Sequence, residues 1–156
     1  MLCMDVTIRK KEVRYIMKIG YTTGVFDLFH VGHLNILKKA KENCDYLIVG
    51  VSTDDLVMRY KNHLPIIRYE ERYEILKAIK YVDQVVPQDD LDKIDAWHKY
   101  KYNILFHGDD WKNSELYQQV EEKLKEKGVE IVYFAHTDGI STTEIKKYIY
   151  ENYPNI

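Results

Sequence analysis

Ten residues, GVFDLFHVGH at positions 24–33, hold the densest set of groups able to handle a phosphate. They follow a short apolar run and precede Leu34, Leu37 and Ala40 at helical spacing, so the segment reads as the turn from a strand into a helix. Such a helix start offers unpaired backbone N–H groups and a partial positive charge, both suited to an anion. His30 and His33 stand three apart. With the helix beginning near Val31, both imidazoles lie on one side and can donate to charge developing on phosphorus-bound oxygens. Gly24 permits a tight turn out of the strand, and Gly32 allows a ligand close to the backbone. Two plainer readings stand beside this one: a pair of polar caps, or a metal pair. No Cys or carboxylate cluster with ligand spacing accompanies the histidines.

Other segments carry weaker signals. In GISTT, residues 139–143, Gly139 frees a turn, Ser141 is a natural N-cap, and Glu144 completes a capping box. That is also how ordinary helices start, so the hydroxyls of Ser141, Thr142 and Thr143 are open to either use. GDDW, residues 108–111, puts two carboxylates after an apolar run. They can hold ribose, cytosine or Mg²⁺, or they can cap the following helix. Trp111 is equally open to a place in the core. Residues 53–68 read as a polar connection with Arg59, Lys61 and His63 along it. This stretch is long for a strand-to-helix link, so it is expected to be a mobile lid.

The elements that must position these groups alternate. Strands are expected at 17–23, 46–51, 83–86, 103–107 and 129–134. Helices are expected from the first histidines onward, then at 70–80, 91–100, 114–127 and 142–150. This alternation predicts a Rossmann-like α/β fold, a parallel sheet with helices on both faces. Ligands in such sheets bind beyond the carboxyl ends of the strands. Residues 24–33, 53–68, 108–111 and 136–143 all follow strands, so they should meet in one site. Residues 17–156 read as a single domain. Residues 1–16 stand apart as an extension: an ordered arm, a partner contact or an upstream start.

Bulk properties narrow the function. The 156 residues suffice for one domain and one core. Lys plus Arg number 23 against 25 Asp plus Glu, which argues against nucleic acid or an acidic membrane surface as partner. Cys3 and Cys44 are too few for a disulfide framework, and no apolar run suits a membrane span or secretory signal. A cytoplasmic protein is expected. The 14 Tyr give amphipathic surfaces that would support a homodimer.

GVFDLFHVGH resembles the H-x-G-H signature of the nucleotidyltransferase superfamily, and GISTT resembles its second signature, I-S-T-x at the start of the last helix. With Arg72, Tyr81-Val82-Asp83 and GDDW, the pattern over residues 17–150 is similar to the cytidylyltransferase family, in the branch acting on glycerol 3-phosphate. The resemblance implies transfer of CMP from CTP to a small phosphorylated alcohol, by direct displacement and without a covalent intermediate. It implies catalytic roles for His30, His33 and Lys61. Nucleotide contacts are implied for Gly24, Val25, Phe26, Gly32, Arg72, Asp109, His136, Thr137, Gly139, Ile140, Ser141, Thr142 and Thr143. Acceptor contacts are implied for Lys93, Lys80 and His63. Mg²⁺ is expected to come with the triphosphate rather than to occupy a dedicated protein site. The chain departs from the family at His136 and Lys80, where Arg is usual, and at His63, where a second Lys is common. Arg binds phosphate as a fixed fork and Lys as a point charge, so these changes bear on acceptor and triphosphate affinity more than on reaction type. Adenylyl transfer, a different phosphorylated or phosphonate acceptor, and a nucleotide-binding module without catalysis are the alternatives.

Overall fold

A computed structural model of the chain describes residues 15–108 and 115–154. Five strands form one parallel sheet: β1 (Ile19–Gly24), β2 (Tyr46–Ser52), β3 (Gln84–Gln88), β4 (Ile104–Gly108) and β5 (Glu130–Phe134), in the order β3-β2-β1-β4-β5. The helices are α1 (Val31–Glu42), α2 (Asp54–Lys61), α3 (Tyr69–Lys77), α4 (Lys93–Tyr100), α5 (Glu115–Glu126) and α6 (Thr142–Asn152). The expected Rossmann-like α/β class is the class observed.

Strands covered on both faces lose the polar alternation of a half-exposed sheet. Accordingly β2, YLIVGVS, is buried from Leu47 to Ser52. On one face Leu37 and Ala40 of α1 and Leu76 of α3 pack against Leu47, Val49 and Val51. On the other, Leu124 of α5 and Trp97 of α4 pack against Tyr21, Ile48 and Leu105.

The strand order creates the ligand crevice. From β1 the chain steps outward to β2 and β3, then crosses back through α4 to lay β4 on the other side of β1. Connections therefore leave β1 and β4 in opposite directions, and their carboxyl ends, Gly24 and Gly108, flank a topological switch point.

Residues 53–68, expected as one long polar connection, are helical over their first half. Thr53 accepts from Leu56 N at 3.3 Å and caps α2, with Asp54 and Asp55 in its first turn and Arg59 and Lys61 in its last. That charge order complements the helix dipole, and burial of Leu56 and Val57 fixes the helix to the body. Lys61 is thus the last residue of a helix, and Asn62 closes it in the left-handed conformation at φ 58°.

Candidate active site

The β1–α1 turn is built around strain in unexpected places. Gly24 is not the residue that takes a left-handed conformation; Phe26 (φ 55°) and Leu28 (φ 47°) are. Non-glycine residues hold such angles only where surrounding contacts over-determine them. Phe26 is buried, and the Asp27 carboxylate accepts from Leu28 N at 3.1 Å, Ile66 N at 3.0 Å and Ile67 N at 2.9 Å. Burial would raise the Asp27 pKa, but the Ile66 and Ile67 donors together with Lys146 outweigh it and hold the group below the usual carboxylate range.

The turn delivers His30 as the N-cap of α1 and His33 into its first turn, as the H-x-G-H spacing predicted. Their rings stack with centroids 3.9 Å apart. His30 Nδ1 accepts from Gly32 N at 3.1 Å, and His33 Nδ1 accepts from His30 N at 3.4 Å. With both Nδ1 atoms used as acceptors, the network assigns the proton of each neutral ring to Nε2, which becomes the outward donor. Burial pushes both rings below the ordinary histidine pKa, His33 to about 4, helped there by His30 alongside. Both are uncharged at neutral pH. Gly32 makes this packing possible: a Cβ there would lie 2.8 Å from His30 Cε1. The space expected for a ligand is filled by the imidazole.

A cavity of about 190 Å³ opens in front of His33, lined also by Val25, Phe26, Lys61, His63 and Thr142. Three separate sequence segments therefore converge on it, all from the carboxyl edge of the sheet. The β5–α6 connection is tied in by Asn35 Nδ2, which donates to Thr137 Oγ1 at 3.3 Å, and by Thr142 Oγ1, which donates to the Asp27 carbonyl at 2.9 Å. Ser141 caps α6 through Glu144 N at 3.1 Å, and Gly139 turns the chain at φ 75°. Ile140 reaches Gly32, since a Cβ on that glycine would lie 3.4 Å from Ile140 Cγ2. His136 stands over the end of β4, its Cε1 3.5 Å from where a Gly108 Cβ would be.

Three expected contact residues are placed elsewhere. Arg72 is 1% exposed, and its guanidinium is spent on the protein. It donates to Ile67 O at 2.8 Å, Val25 O at 2.6 Å, Ser52 O at 2.8 Å and Asp54 Oδ1 at 2.6 Å. It bolts three loops together behind the cavity instead of facing it. Lys93 is 6% exposed, with Nζ donating to Thr23 Oγ1 at 2.9 Å, and it borders a different hollow beside Asp90 and Asp92. Burial lowers its pKa to about 8, against the raising influence of those two carboxylates. Reaching an acceptor would require that amine to leave Thr23. Lys80 follows α3, which runs back along the sheet, so it emerges at the amino end of β3, across the sheet from the cavity, over the Tyr81 ring at 5.1 Å. Asp109, with the rest of GDDW after Gly108, lies outside the described residues.

Asp27 and Lys146 are site residues that sequence reasoning passed over. Both line the His33 cavity, and their charged atoms lie 3.3 Å apart. Asp27 sits inside the signature and had a signal; Lys146 reads like any lysine on a terminal helix. Among the described residues no group of three or more His, Cys, Asp or Glu is placed to hold a metal, and no helix is long and apolar enough to cross a membrane.

The family model described as cytidylyltransferase-like matches residues 21–148. The glycerol-3-phosphate cytidylyltransferase of Bacillus spizizenii is 43% identical over 134 residues, covering 84% of this chain and 96% of that protein. Its namesake in Staphylococcus aureus is 38% identical over 135 residues, covering 86% and 96%. Among solved structures, a lipopolysaccharide core biosynthesis protein from Thermoplasma volcanium superposes with a TM-score of 0.63 at 28% identity, covering 78% of this chain and 97% of that one.

Proposed function

The chain belongs to the cytidylyltransferase-like family, and on that premise we propose that it transfers CMP from CTP to glycerol 3-phosphate, yielding CDP-glycerol and pyrophosphate. The observation that carries the reading is the similarity to glycerol-3-phosphate cytidylyltransferases, which covers 84–86% of this chain and 96% of each of those proteins. It is supported by the cavity, whose lining includes His33 of the first signature and Thr142 of the second.

A phosphate oxygen of glycerol 3-phosphate attacks the α-phosphorus of CTP. One P–O bond forms while the bond to the oxygen bridging the α- and β-phosphates breaks, and that oxygen leaves with pyrophosphate. His30 and His33 each offer an Nε2–H donor to the α-phosphate oxygens as negative charge builds there, a contribution that strengthens in the transition state. The N–H groups at the starts of α1 and α6, with the Ser141 and Thr143 hydroxyls, hold phosphate oxygens; Lys61 and His63 at the cavity mouth supply further donors. Mg²⁺ enters as the counter-ion of CTP and belongs to the substrate. Catalysis rests on positioning and charge, with no covalent enzyme intermediate.

Pyrophosphate release measured across nucleoside triphosphates and phosphorylated alcohols tests this. CTP should exceed ATP by at least about tenfold in kcat/KM, a preference needing about 1.4 kcal/mol of differential transition-state binding. Equal or better use of ATP would make the protein an adenylyltransferase; no release with any pair would leave it a nucleotide-binding module.

A further inference from the structure

The sheet is not held equally along its length. β1 pairs with β2 from Ile19↔Tyr46 to Gly24↔Val51, and β4 pairs with β5 from Ile104↔Glu130 to Gly108↔Phe134. Between β1 and β4 the ladder runs only from Gly20↔Ile104 to Tyr21↔Leu105. Its amino end is reinforced by Asn103, whose side chain accepts from Ile19 N at 2.8 Å and whose N–H donates to Ile19 O at 2.7 Å. From Thr22 and Phe106 onward the two strands no longer pair. The half carrying the first signature and the half carrying the second are therefore joined at the ligand edge by side chains. Two of these links lie on α6: Thr142 Oγ1 donates to the Asp27 carbonyl at 2.9 Å, and the Lys146 ammonium stands 3.3 Å from the Asp27 carboxylate. A third lies upstream, where Asn35 Nδ2 donates to Thr137 Oγ1 at 3.3 Å. Asn35 is on α1, two residues after His33. Thr137 is part-buried, whereas its neighbours Ala135, His136, Asp138 and Gly139 are exposed.

We propose that Asn35 is a positioning residue for CTP binding: it touches no substrate, but through Thr137 it pins the β5–α6 connection to α1 across the gap between β1 and β4. The inference rests on the function proposed above. Thr142 fixes only the downstream end of that connection, and without Asn35 its upstream end would be tied by no side chain to the half that holds the histidines. A connection ordered before CTP arrives loses less freedom on binding, so the bond acts on affinity. It also sets a direction. Thr137 Oγ1 accepts the Asn35 N–H, which leaves the Thr137 O–H as a donor facing elsewhere.

The test is a double-mutant cycle of Asn35→Ala and Thr137→Val, with Thr137→Ser as the conservative variant and Lys38→Ala, exposed on the same helix, as control. Steady-state kinetics with CTP and glycerol 3-phosphate are read beside amide exchange of the ligand-free proteins. Loss of one neutral hydrogen bond should raise the KM for CTP in Asn35→Ala about 3- to 10-fold, with kcat within about twofold of the parent. The KM for glycerol 3-phosphate and the melting temperature should stay near those of the parent, and exchange at residues 136–140 should quicken. Asn35→Ala should change nothing further in the Thr137→Val background and should keep its full effect in Thr137→Ser. Lys38→Ala should match the parent. An unchanged KM for CTP in Asn35→Ala would overturn the inference, as would the same loss in the Thr137→Val background, because Asn35 would then act through another group. A fall in kcat at constant KM would overturn it too, by placing Asn35 at the reacting atoms. If Asn35→Ala does not fold, Asn35→Ser takes its place with the same criteria. Parent protein that turns over no CTP would overturn the proposed function instead, and amide exchange at residues 136–140 across the cycle would still decide the role of Asn35.

Discussion

Replacing Arg72 by Leu should cost the fold before it costs the chemistry. The side chain has no exposure, and its four hydrogen bonds reach Val25, Ser52, Ile67 and Asp54. Leucine fills part of the volume but strands three carbonyls and one carboxylate. Each unsatisfied carbonyl costs about 1 kcal/mol at the low end. Removing one partner of a buried ion pair costs about 3–5 kcal/mol, and Asp54, at 31% exposure, puts this pair below that range, near 2 kcal/mol. The sum is about 5 kcal/mol, comparable with the whole stability of a marginal domain. With an m-value of about 2 kcal/mol per molar urea, the unfolding midpoint should fall by about 2–3 M. Arg72→Lys keeps a charge but presents a single nitrogen, so it should lose about half as much. Urea titration followed by tryptophan fluorescence, with CTP affinity measured on the folded fraction, reads both effects. A midpoint within about 0.5 M of the parent together with a collapse in CTP affinity would refute the reasoning, because the guanidinium would then be meeting nucleotide.

His33→Ala should lower kcat by about 10²- to 10³-fold while the protein stays folded, as expected for a lost donor to transition-state charge; near-normal turnover in a folded variant would make His33 structural. The same residue should set an acid limb of stability. Its pKa is about 4 in the folded chain against about 6.5 unfolded, so its contribution is complete above about pH 6.5 and is lost as pH falls toward 4. The loss is about 2 kcal/mol after allowing for partial exposure, and His33→Gln should flatten that part of the denaturation profile. Lys61→Ala should raise the KM for CTP and lower kcat together. Amide exchange should slow at residues 61–65 on CTP binding, while Ile66 and Ile67, held by Asp27, are protected throughout; no change on binding would make the segment a plain connection.

Local signals carried the frame of the site. The H-x-G-H spacing located the start of α1 at Val31, and alternation of apolar runs with helical stretches located all five strands within a few residues. What was not legible depended on contacts made across the chain. In RYEER, Arg72 has the look of a surface helix residue, and only the arrival of three loops around it makes it core. The helix α2 did have a signature, a capping Thr53 before two aspartates, but eight residues give too few turns for periodicity to stand out. The position of Lys80 between α3 and β3 was not legible either, because motif reading says what a residue can bind, not at which end of a sheet a returning helix sets it down.

Uncharged imidazoles also decide what the cavity does when no triphosphate is present. In any solution rich in phosphate and sulfate, a pocket with a permanent positive charge at its floor fills with small anions and must be emptied before each turnover. Burial lowers the His33 pKa to about 4, so this imidazole of the cavity lining is neutral at pH 7 and attracts a passing sulfate only weakly. Lys61 and Lys146 line the same cavity on side chains long enough to follow a chain of phosphates. A small anion would meet a neutral imidazole there, whereas a longer chain of phosphates could reach both lysines at once.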